Sequence, residues 1–148
     1  MAWQALAAAT TRSVHTVWRR RVWLARLAGL ACGLAITALS LLPPEAATAA
    51  SGHDKLKHAA AYACLAGAWS LALDRPALVA VVLVASGFGL GLELAQGLMP
   101  FGREASWADA LANTVGAALG AGVGRVLYPV WRTGSDSGSI SSRSGARP

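Results

Sequence analysis

The sequence predicts an all-α, polytopic membrane bundle of four transmembrane helices with both termini cytoplasmic. Three observations predict it: a strongly apolar composition, four long apolar runs divided by proline-bearing breaks, and Lys and Arg gathered on alternate breaks. Hydrophobic residues make up 55% of the 148 and charged ones 14%, with a mean hydropathy of +0.46. A soluble domain usually carries about a quarter charged residues.

The first run, residues 22–42, is interrupted only by Arg26 and ends at Pro43-Pro44, which stops a helix because proline lacks the amide donor and clashes with the preceding turn. The second, 58–73, stops at Asp74-Arg75-Pro76; the third, 77–99, stops at Pro100 and Gly102; the fourth, 108–127, stops at Pro129. A span needs about 20 residues at about 1.5 Å each, so the second is short and its flanking side chains must snorkel. A soluble helical bundle would need polar faces at a period of about 3.6 residues, yet residues 77–92 carry no charge.

Orientation follows from the basic residues. Ten of the 13 fall on one side: Arg12, Arg19, Arg20, Arg21 and Arg26 before or at the first run, Arg75 in the second break, and Arg125, Arg132, Arg143 and Arg147 at the C-terminal side. Lys55, Lys57 and Arg103 fall on the other. The domain plan is a basic cytoplasmic segment 1–21, a four-helix membrane domain 22–129, and a cytoplasmic tail 130–148. From Thr133 onward the chain is rich in Ser, Gly and Arg and reads as disordered. Arg20-Arg21 followed by an apolar run and Ala47-Thr48-Ala49 also fits a twin-arginine signal with a cleavage site. Retention as a helix is the simpler reading, because the run is long and three further runs follow it.

The net charge of +6 suits a protein lying beside an anionic leaflet. Nucleic acid is not expected as a partner, since the arginines are dispersed beside apolar runs and form no single soluble basic patch. Cys32 and Cys64 stand in apolar runs without metal-ligand spacing, so they read as small core residues. Neither a metal nor a cofactor is expected. Trp23, Trp69 and Trp107 sit near run ends and read as interfacial belt residues.

The polar residues within the apolar bulk gather at one level. In D-K-L-K-H-A-A-A-Y, residues 54–62, Asp54, His58 and Tyr62 recur every fourth position and share a helix face, with Lys55 next to it. Glu93 and Gln96 lie near the end of the third run; an acidic side chain there costs about 3 kcal/mol to insert, so it must face the bundle. In G-R-E-A-S-W-A-D-A-L-A-N, Ser106 is placed to cap the fourth helix, and Asp109 and Asn113 share one face. Gly116, Gly120 and Gly124 follow in a row that lets another helix approach closely, within the chain or from a second copy.

Together these spacings resemble the VanZ-like family, whose pattern runs D-K-x-x-H-x-x-x-Y, E-x-x-Q, a short loop with G-R, then D-x-x-x-N-x-x-G-x-x-x-G. All of these positions are filled here over residues 54–124. The loop departs by one residue, since the family often shows P-x-R where this chain has Pro100-Phe101-Gly102-Arg103. The resemblance implies a multi-pass protein of the bacterial cytoplasmic membrane, in a family related to glycopeptide resistance. It implies a setting and no particular reaction.

The expected polar site comprises Asp54, Lys55, His58, Tyr62, Glu93, Gln96, Arg103, Asp109 and Asn113. Arg103 is the best candidate for a bidentate grip on phosphate. One reading is a non-catalytic binder of a phosphorylated envelope lipid. Another is an enzyme on such a lipid, with Glu93 or Asp109 as base and His58 as acid or phosphoryl acceptor. A proton-linked carrier using Glu93 is less attractive in four short runs with no inverted repeat. No P-loop, GxSxG or HExxH signature is present.

Overall fold

The computed structural model describes the backbone of residues 2–42, 54–73, 78–100 and 105–133, with side chains from residue 17 to residue 130 of these stretches. The described residues form four helices and no strand: α1 (Ala2–Leu41), α2 (Asp54–Ala72), α3 (Leu78–Gly97) and α4 (Trp107–Thr133). Among them, three helical stretches are long and apolar enough to cross a membrane: Val17–Leu41, Leu78–Gly97 and Trp107–Val130. α2 is not one of the three, because Asp54, Lys55, Lys57 and His58 crowd its first turns and much of the rest is alanine.

Two expected boundaries move. α1 runs unbroken through Arg19-Arg20-Arg21, so the basic segment and the first apolar run are one helix of 40 residues. Long side chains of arginine are good helix formers, and charge by itself does not stop a helix. Pro129 does not end α4, which continues to Thr133. The ring's fixed φ suits a helix, and the loss is confined to the one amide donor that would have met the carbonyl four residues earlier.

The helices alternate in direction. Side-chain neighbours pair Gly29 with Trp69 and Gly33 with Leu65, which makes α1 and α2 antiparallel. Gly116 lies against Ala59, Gly120 against Ala63, and Gly124 against Gly67 and Ser70, so α2 and α4 run parallel. α2 and α4 make the most extensive pairing, α1 packs on α2, α3 packs on α4, and α1 and α3 barely touch. The expected close approach at Gly120 is therefore present within one chain. With α2 filling this glycine face, association of copies through it would require displacing α2.

Polarity is inverted relative to a soluble bundle. Leu34, Val84 and Val126 are each more than 70% exposed, while Ser70, Glu93, Gln96 and Asn113 are buried. A hydrocarbon surround explains both halves of that distribution, since it solvates leucine and valine and drives polar groups inward. Trp23 and Trp107 face outward as belt residues would, at 56% and 80% exposure. Trp69 does not; it packs against Gly29 and the core. Cys64 is also displaced from its expected role, being exposed, while Cys32 is partly buried against the core; both are free thiols. At the far end, Trp18 meets Tyr128 edge to face with ring centroids 6.2 Å apart, joining α1 to α4.

Candidate functional site

The polar residues meet where α1 and α3 end and α2 and α4 begin. Ser106 caps α4 as its spacing predicts, its Oγ accepting from the Asp109 amide at 3.3 Å. The Ser106 amide in turn donates to Glu93 Oε2 at 3.1 Å. Glu93 therefore faces the bundle, 4% exposed, and ties the start of α4 to α3. Gln96 is also buried but turns the other way, its Nε2 donating to the Ser40 carbonyl of α1 at 2.9 Å. Positions three apart differ by about 60° around a helix, enough for this pair to serve two neighbours.

The seam between α2 and α4 holds the remaining described residues. His58 Nδ1 lies 3.1 Å from Asn113 Oδ1; an amide oxygen only accepts, so Nδ1 carries the hydrogen. The other ring nitrogen, Nε2, is 3.9 Å from Asp54 Oδ2, one turn earlier on the same face. Lys55 Nζ reaches to 3.8 Å from Asp109 Oδ1, with its side chain 66% exposed, so this ion pair is solvent-screened and weak. Tyr62, 2% exposed, lies a turn below His58 and packs against Phe88 of α3. Asp54, Lys55, His58, Asp109 and Asn113 are thus brought together, with Tyr62 beneath them, Glu93 at the α3–α4 seam and Gln96 at the α1–α3 seam. Arg103 lies outside the described residues, as do Arg75 and the chain from residue 134.

Gly89 was not singled out by spacing, yet it makes this convergence possible. A Cβ there would stand 2.9 Å from Asn113 Nδ2 and 3.0 Å from two Tyr62 ring atoms. α3 can lie against both α2 and α4 at this level because position 89 has no side chain. Gly89 stands between Gly87 and Gly91, and the sequence does not mark which of the three has that role; a Cβ at either of the other two meets nothing within 4 Å.

Further along α2 from the cluster, an apolar cavity of about 660 Å³ opens between α1 and α3. Gly33, Thr37, Leu65, Trp69, Val84 and Phe88 are among its walls. No protein-family model, curated protein or solved structure matches the chain.

Proposed function

We propose that the chain is a four-span protein of the VanZ-like kind in a bacterial cytoplasmic membrane, with both termini inside, and that it binds the anionic headgroup of a phosphorylated envelope lipid without turning it over. The observation that carries this reading is the pairing of a part-exposed polar cluster at one end of the bundle with an apolar cavity alongside it. An amphiphile needs both. The acyl or prenyl tail would occupy the cavity between α1 and α3, and the head would lie against Lys55, His58 and Arg103. Support for α2 as a fourth span comes from its packing parallel to α4 over successive turns from Ala59 to Ser70. The Lys and Arg distribution supports an outward-facing polar end.

An enzyme acting on such a lipid is the alternative. Glu93 is poorly placed as its base, since Oε2 already accepts a backbone hydrogen bond and the side chain is closed from solvent.

Two measurements test the proposal. Topology reporters fused after residues 50, 75, 103 and 133 should report outside, inside, outside and inside; an external report at 133 would eliminate the four-span arrangement. Native mass spectrometry of the detergent-purified chain should show one phosphorylated lipid retained, and lost on combining Lys55→Ala with Arg103→Ala at unchanged folded yield. A protein that carries no lipid, or that holds it equally well in the double variant, would refute headgroup binding.

A further inference from the structure

The cluster at the α2–α4 seam has the wrong charge for binding an anion by itself. Among the described residues it offers the carboxylates of Asp54 and Asp109 against the exposed ammonium of Lys55. One ligand atom each from Asp54, His58 and Asp109 lie within 4.8 Å of one another. We infer that these three side chains form a divalent first-row cation site, of the Zn²⁺ or Mn²⁺ class, that leaves coordination positions open.

Three features support it. Asp54 and His58 stand one helical turn apart on one face, the spacing at which two side chains chelate one ion. Asn113 accepts from Nδ1, so Nε2 is the ring nitrogen turned towards the carboxylates and the one that can offer a lone pair to a cation. A histidine metal ligand is commonly held by its second nitrogen in this way. Asp109 Oδ1 is buried and has no hydrogen-bond donor, with the Lys55 ammonium stopping at 3.8 Å. A buried carboxylate oxygen normally accepts a hydrogen bond, and an ammonium at that distance does not supply one.

The geometry needs small adjustments. Oxygen and nitrogen ligands bind Zn²⁺ at about 2.0–2.2 Å, so the ligand atoms of one ion are about 3 to 3.5 Å apart. The 3.9 Å between Asp54 and His58 closes by side-chain rotation, which the 54% exposure of Asp54 permits. One imidazole with two carboxylates favours Zn²⁺ or Mn²⁺ over Mg²⁺, which keeps its water and prefers oxygen alone. Three protein ligands leave positions for water or an oxyanion, unlike a closed structural site. Only the extension to a phosphorylated headgroup rests on the lipid reading.

The test uses the full chain without an affinity tag, stripped with chelator and titrated with ZnCl₂ or MnCl₂ by calorimetry, with no lipid added. One ion per chain should bind. Asp54→Asn and Asp109→Asn should each weaken binding at least about tenfold, and Asn113→Ala, which touches no ion, by about 10- to 100-fold. Lys55→Ala should tighten it several-fold by removing the competing ammonium, an effect that a merely structural role for the cluster would not produce. Circular dichroism confirms that each variant is folded, and the Lys55 variant keeps the test decisive if the others are not. No stoichiometric binding, or binding unchanged across all four variants, overturns the inference. Lipid retained without metal binding would sink the cation site alone; metal bound without any lipid would sink the headgroup reading alone.

Discussion

Gly120→Leu is expected to lower the folded yield of the protein by tenfold or more, while Gly122→Leu leaves it unchanged or slightly higher. A Cβ added at Gly120 would stand 2.6 Å from the Ala63 Cα and carbonyl carbon, and closer still to its oxygen. These are backbone atoms of α2 and cannot rotate away. Leucine would therefore separate α2 from α4, the most extensive pairing in the bundle, and draw His58 away from Asn113. Overpacking a rigid core typically costs about 1–3 kcal/mol, and a collision with backbone lies at or beyond the upper end. Each 1.4 kcal/mol is about a factor of ten in the folded population. At Gly122 a Cβ meets nothing within 4 Å, and replacing glycine within a helix gains up to about 1 kcal/mol of helix propensity. Detergent size-exclusion yield and thermal melting of both variants measure the contrast. Equal losses at the two positions would mean that the glycine row does not pack on α2.

That contrast follows from a pattern visible in the sequence, and other parts of the molecule were less visible for identifiable reasons. Spacings within one helix translate directly: Asp54 with His58, Asp109 with Asn113, and the glycine row each share a face in the structure. Features set by two helices do not. The grouping of Asp54, His58 and Asp109 depends on how closely α2 and α4 approach, which is controlled by Gly116 and Gly120 and is invisible in either motif alone. A juxtaposition of side chains from separate helices leaves no fixed separation along the sequence by which to find it. Glu93 and Gln96 read as one polar pair, but the offset of about 60° between them around the helix turns Gln96 to Ser40 of α1. Pro129 read as a stop because proline removes a helical donor and crowds the carbonyl four residues earlier, a local cost that does not keep α4 from continuing to Thr133.

Glu93→Gln and Glu93→Leu should behave differently, and the difference separates the acceptor role of this side chain from its charge. Glu93 Oε2 receives the Ser106 amide, the donor just before the first residue of α4. Glutamine keeps an oxygen at that place and nearly the same volume. It should hold stability within about 1 kcal/mol, as expected for a substitution that conserves volume in a core. Leucine also fills the volume but offers no acceptor. The Ser106 amide would be left without a partner where little water reaches, and losing a hydrogen bond to a charged group costs about 1.5–3 kcal/mol. The insertion energy of about 3 kcal/mol that leucine recovers acts on placing α3 in the membrane, before the helices pack, and does not restore the link to α4. Glu93→Leu should therefore insert normally yet melt at lower temperature, with earlier proteolytic cleavage between α3 and α4. If Glu93→Leu melts like the parent, the bond to Ser106 does not hold α4. If Glu93→Gln is as unstable as Glu93→Leu, the charge matters and not the acceptor, and a cation must lie within reach of the carboxylate.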